Sequence, residues 1–115
     1  MSPIQWSLAL FAAVAAGGLL MVALIATGTR IPRLLSDGHG LAGLAALIAL
    51  FSVNLCGRAS TPAIAWWSLG VFLGGFVGGL LLFRVIFKGR ATLPLVSVHA
   101  SAGALGLYLL FRAAF

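Results

Sequence analysis

The chain has 115 residues, of which 63% are hydrophobic and 7% are charged. A water-soluble domain carries about 25% charged residues, so this chain lacks the polar groups to cover a globular surface in water, and its solvent is lipid. Seven Lys and Arg against one acid give a formal charge of +6, but the basic residues stand between apolar runs, which points to membrane orientation and anionic headgroups and away from nucleic acid. Cys56 is the single cysteine. It excludes an intrachain disulfide and a cysteine-based metal site, and is expected to pack as a small apolar residue near a helix end.

A helix needs about 20 apolar residues to cross the hydrocarbon core. Four stretches qualify: 4–27, 34–56, 62–87 and 94–115, forming a single integral-membrane domain over 1–115. The first, Ile4 to Thr27, contains no charge, and Ser2-Pro3 ahead of it reads as a cap and a first-turn proline. No Lys or Arg precedes that apolar run, so it does not read as a cleaved signal peptide. The second span opens at Pro32 or Ser36 and ends near Cys56. Asp37, the only acid, lies four residues after Arg33, the spacing of a helical ion pair; a proton relay beside a quinol is the sharper alternative.

Thr61-Pro62 opens the third span, which runs to about Phe87 with Arg84 near its end. Gly70, Gly74 and Gly78 repeat the G-x-x-x-G spacing of helix association, either inside the bundle or in a homodimer. Thr92, Leu93 and Pro94 open the fourth, which ends at Phe115 with Arg112 close by. Arg84 and Arg112 are expected to snorkel to the interface. Asn54 is expected to hydrogen-bond across helices. The linkers are short, so successive spans are antiparallel. The expected fold is an all-α membrane protein, a four-helix bundle.

Arg30, Arg33, Arg84, Lys88 and Arg90 flank the first and third loops, while Arg58 and Arg112 lie on the other side. Five against two makes the first side cytoplasmic. The expected location is a bacterial inner membrane, with both termini outside the cytoplasm. Trp6, Trp66 and Trp67 fall near the outer ends of spans one and three, where indoles favour the interface.

The chain also repeats itself. Gly28-Thr-Arg-Ile-Pro32 precedes His39, and Gly89-Arg-Ala-Thr-Leu-Pro94 precedes His99. Each histidine heads the pattern H-x-x-A-G, with Ala42-Gly43 after one and Ala102-Gly103 after the other. The expected bundle is therefore two pseudo-repeated helix hairpins related by an axis along the membrane normal. Both histidines lie roughly 7–10 Å along their helices from the proline, at about 1.5 Å per residue. Spans two and four start from the same side, so the two imidazoles share a depth and can face each other diagonally.

Ionisable residues inside a membrane are costly and usually functional. Two neutral imidazoles across a gap are the axial ligands that haem iron takes. Gly43 and Gly103, lying on the histidine faces with small neighbours, are expected to leave room for the macrocycle. Arg30, Arg33 and Arg90, with Lys88, could pair with its propionates. With these features the chain resembles membrane b-type cytochromes of the bis-histidine four-helix kind. The resemblance is architectural and covers the whole chain loosely. It implies one haem b, with His39 and His99 as metal ligands, and electron transfer with quinol or a partner redox subunit. Relatives with four histidine ligands hold two haems; this chain has two histidines.

Other classes remain. A histidine near a helix start can snorkel or bond a carbonyl, and small-residue faces occur in ordinary helix packing. Histidine also ligates chlorophyll-type pigments. The competing reading is thus a non-catalytic accessory or pigment-binding subunit of a larger membrane complex. Small multidrug exporters need a buried acid in the first span, which is absent here.

Overall fold

A computed structural model describes residues 1–115. It contains four long helices: α1 Pro3–Ala26, α2 Arg33–Gly57, α3 Ala63–Leu80 and α4 Leu93–Ala114. A 3-10 turn, Arg58–Ser60, extends α2, and a π-helical segment, Leu81–Ile86, extends α3. The four apolar helical stretches are then 24, 28, 24 and 22 residues long. At about 1.5 Å per residue, each spans the roughly 30 Å hydrocarbon core. The chain is an all-α four-helix bundle with helices suited to a bilayer.

The helix starts follow local chemistry, with one departure from expectation. The Ser2 hydroxyl accepts from the Gln5 amide at 3.3 Å, and the Gln5 side chain accepts from the Ser2 amide at 2.9 Å. This reciprocal pair, with Pro3 at the first position, satisfies two amides that the helix cannot. Thr61 does not cap α3. Pro62 takes that position, and the Thr61 hydroxyl turns back to donate to the Asn54 carbonyl at 2.8 Å. At the opposite face, Gly28 and Gly89 adopt φ of +69° and +67°. Left-handed backbone at these loops suits glycine, which has no Cβ to clash.

The hairpins α1–α2 and α3–α4 also pack on each other through α1–α4 and α2–α3. The two diagonals are thus α1–α3 and α2–α4. Phe11 and Phe72 cross the first, stacked with centroids 3.7 Å apart and planes within 5°. Around them lie Ala46, Leu47, Leu50 and Leu110. Gly106 of α4 lies under the Phe72 ring, where a Cβ would come within 2.6 Å of a ring carbon. The outer faces are apolar, with Leu34 and Trp67 largely exposed to the surroundings. Lipid is the partner such a surface needs.

The repeat runs deeper than the histidine pattern. Trp6-Ser7-Leu8 matches Trp67-Ser68-Leu69, and Gly17-Gly18-Leu19-Leu20 matches Gly78-Gly79-Leu80-Leu81, at an offset of 61. Phe11 and Phe72 share that offset, as do Gly28 and Gly89. In α2 and α4 the offset becomes 60, pairing Leu50 with Leu110 and His39 with His99. Leu50 and Leu110 are both fully buried, and so are Ser7 and Ser68. Equivalent residues of the two hairpins therefore meet near one central axis.

Candidate functional site

His39 lies six residues after the first residue of α2, and His99 six residues after the first of α4. At about 1.5 Å per residue, both are about 9 Å along their helices. They face each other on the α2–α4 diagonal. Their ring centroids are 6.2 Å apart, with an interplanar angle of 75°. Sequence spacing places them at one depth; the packing of α1 and α3 brings them together.

Each imidazole leans on the other helix of its own hairpin, at a glycine. A Cβ on Gly18 of α1 would stand 3.2 Å from His39 Cε1. A Cβ on Gly79 of α3 would stand 2.8 Å from His99 Cε1 and 3.1 Å from its Nδ1. These are the two second glycines of the repeated G-G-L-L stretch. Their missing side chains let each ring lie against a helix backbone.

The rings differ in hydrogen bonding. His39 Nδ1 is 3.1 Å from the Val14 carbonyl, so the ring donates its N–H there. That bond fixes the tautomer and leaves the Nε2 lone pair free to ligate. His99 Nδ1 is buried and has no hydrogen-bond partner. The backbone of Gly75, the counterpart of Val14, is the hydrogen-bonding group nearest to it, at looser geometry than Val14 offers His39. Phe83, from the π-helical segment, meets His99 edge-on at 5.8 Å between centroids.

Two imidazoles on opposite sides of one metal ion have centroids about 6.2 Å apart, from a metal–nitrogen bond of about 2.0 Å and roughly 1.1 Å from nitrogen to ring centre. The observed 6.2 Å equals this within its precision. No group of three or more His, Cys, Asp or Glu assembles anywhere. A bare ion would thus find two side-chain ligands where structural zinc takes four. A metal that brings an equatorial ligand set of its own needs only the two axial positions. The flanks of the pair are filled: Phe83 packs on His99, and Phe76 and Val14 lie near Gly43. A macrocycle between the rings therefore requires Phe83 and Phe76 to swing outward.

Two of the sequence-derived residues stand elsewhere than expected. Gly43 faces Phe76 and Val14, each about 3.8–3.9 Å from a Cβ built there, and Gly103 faces open space. Neither lies beneath a histidine. A residue four places along a helix sits below the ring on its own helix, but these rings lean sideways onto α1 and α3. Gly18 and Gly79 hold that place, with Val14 and Phe83 beside them. The repeated G-G-L-L stretch marks both positions in the sequence.

The basic rim also differs. Asp37 contacts Arg33 at 3.7 Å, as the spacing predicts, but it also bonds Arg84 at 2.5 Å. Arg84 does not simply snorkel; it ties α3's π-helical end to α2 across the hairpin boundary. Arg30 and Arg90 are exposed in the two loops at the histidine end. At the far end, Asn54 donates to the Ala65 carbonyl at 3.1 Å, the expected interhelical bond. Cys56 is exposed and free.

One groove adjoins the site. It measures about 630 Å³ and runs between α1 and α2, past Leu10, Ala13, Gly17, Gly38, His39 and Ala45. In the second hairpin Val98 and Leu105 replace Gly38 and Ala45, so the equivalent side is bulkier. The molecule is thus asymmetric where its sequence repeat is not perfect. The chain matches no protein-family model, no curated protein and no solved structure.

Proposed function

We propose that this chain is a membrane b-type cytochrome that holds one haem b between His39 and His99. The observation that carries the reading is the 6.2 Å spacing of two imidazoles at one depth on the bundle diagonal. The haem, when bound, supplies one-electron transfer. His39 and His99 would hold the haem iron, and the Val14 carbonyl orients His39. Gly18 and Gly79 let the two rings stand back from the axis. Arg30, Arg33 and Arg90, with Lys88, form the cationic edge that would pair with propionates. Both rings are half-buried, and the groove between α1 and α2 reaches His39. Electron exchange would be with quinol or a partner redox subunit in a bacterial inner membrane. The five-to-two distribution of basic residues supports a cytoplasmic site for the histidine end and an external location for both termini.

Purified protein supplied with haem tests this. Two axial imidazoles give low-spin six-coordinate spectra in both oxidation states. A protein that takes up no haem, or whose haem spectrum is unchanged when both histidines are replaced, ends the reading.

A second reading has its own support. Gly70, Gly74 and Gly78 face open space on the outside of α3, and the flanks of the histidine pair are filled. Both features suit an accessory or pigment-binding subunit whose α3 packs on another membrane helix, from a partner or a second copy. That reading gains if no haem is bound.

A further inference from the structure

The two hairpins repeat one pattern yet differ along one side. Between α1 and α2 runs the groove of about 630 Å³. Ala13 and Gly17 form part of its α1 wall, and Gly38, Ala42, Ala45 and Ala46 part of its α2 wall. α3 offers equally small residues at the places that match Ala13 and Gly17, namely Gly74 and Gly78. The difference lies in α4, where Val98 and Leu105 stand for Gly38 and Ala45. No packing within the chain requires glycine at 38, since a Cβ there would meet nothing. From Pro32 to Ala46 the α2 wall runs roughly 20 Å, at about 1.5 Å per residue. One leaflet is about half of the roughly 30 Å hydrocarbon core. The groove therefore starts at the histidine-end face and runs through one leaflet, the path of a single acyl chain.

The rim at that face is cationic. Arg33 lies between Pro32 and Leu34, which line the groove, and Arg30 stands just before them. The Arg33 side chain is 91% exposed, and its 3.7 Å contact with Asp37 is too long for a hydrogen bond. Asp37 gives its close bond to Arg84, so the Arg33 guanidinium keeps its donors. Arg30 is exposed and joins no ion pair. In the second hairpin Arg90 matches Arg30, but Leu93 stands where α2 has Arg33. Both α2 and α4 begin without a side-chain cap hydrogen bond, so the helix ends do not distinguish the hairpins. The small-residue wall of α2 and the second arginine do.

We propose that this groove is a binding site for one anionic phospholipid, with an acyl chain between α1 and α2 and the phosphate on Arg30 and Arg33. Guanidinium groups hold phosphate oxygens through paired, charge-assisted hydrogen bonds, and the apolar walls take the chain. A zwitterionic headgroup carries the same phosphate beside a cation that the two arginines repel, so net charge selects the lipid. The site needs no haem; with Arg30 and Arg33 on the phosphate, Lys88 and Arg90 remain for propionates.

The test is a titration of the full chain in detergent micelles with palmitoyl-oleoyl phosphatidylglycerol, read by native mass spectrometry. Phosphatidylcholine with the same chains is the reference. One phosphatidylglycerol per chain is expected, preferred by about 10-fold or more, since each arginine near an anionic lipid is worth about 5-fold. Arg30→Gln with Arg33→Gln should abolish the preference, whereas Lys88→Gln with Arg90→Gln should change it by less than about 2-fold. Gly38→Val with Ala45→Leu copies the residues of α4 and should weaken phosphatidylglycerol binding by about 10-fold or more, as excess bulk in an apolar pocket does. Gly38→Val alone should act in the same direction, and it keeps the test usable if the pair disturbs folding, because its Cβ meets nothing. Equal affinity for the two lipids, equal losses from the two basic pairs, or groove-filled variants that bind phosphatidylglycerol as the wild type does would each overturn the proposal. So would a dimer of the chain that excludes lipid from the groove. None of these outcomes depends on haem uptake, so the lipid site and the cytochrome reading stand or fall separately.

Discussion

Phe11 of α1 and Phe72 of α3 stack face to face at 3.7 Å on the diagonal opposite to the histidine pair. They are equivalent residues of the two hairpins, so the repeat meets itself at this contact. The stack holds α1 and α3 together beneath the level where those helices seat the two imidazoles.

Removing one ring should loosen the bundle. Phe→Ala in a soluble core costs about 3–5 kcal/mol. Lipid is itself apolar, so the transfer part shrinks and the packing part remains; about 2–3 kcal/mol is expected for Phe72→Ala. Gly106→Ala should act through the same ring, since its Cβ would come within 2.6 Å of Phe72. Reversible unfolding in mixed detergent micelles measures both. A Gly106→Ala variant as stable as wild type would show that the ring is free to move.

The glycines of the histidine site should separate into two classes. Gly79→Ala places a methyl group 2.8 Å from His99, and should shift the His99 ring resonances and lower haem uptake about 10-fold or more, the loss expected when a ligand's support is disturbed. Gly103→Ala meets nothing within 4 Å, and should stay within about 0.5 kcal/mol of wild type in the same unfolding assay. Equal effects at the two positions would place the rings elsewhere.

Asp37 is the only acid and bridges Arg33 and Arg84. Its side chain is 41% exposed and that of Arg84 50%, so water and salt screen the pair. Asp37→Asn should cost no more than about 1 kcal/mol, and the difference should diminish with added salt. A double-mutant cycle with Arg84→Gln measures the coupling between the hairpins. A loss of several kcal/mol would indicate that the pair is shielded in the membrane.

The loops carrying Arg30 and Arg90 should lie in the cytoplasm and Phe115 outside, from the basic asymmetry of five against two. Reporter fusions after Phe115 that are active only on one side of the membrane check this. Activity confined to the cytoplasm would invert the orientation.

The sequence alone determined that this is a membrane protein and how many times it crosses. Those conclusions need only the length of each apolar run and the rarity of charge, because lipid demands satisfied backbone bonds over a known thickness. It also set the common depth of His39 and His99, since depth along a helix is a count of residues. What it did not determine was direction around each helix and the pairings that follow from it. A stretch such as residues 39–50 is apolar on every side, so periodicity does not say which face meets which neighbour. Spacing along α2 and α4 points to Gly43 and Gly103, whereas the rings lean across to Gly18 and Gly79. Arg84 reached Asp37 only once α3 ran into its π-helical end beside α2. The hydrogen bond from His39 to Val14, and the looser fit of Gly75 beside His99, depend on differences in backbone position of well under a helical turn. Two halves with nearly the same sequence can differ at that scale, and only the packed tertiary structure decides it.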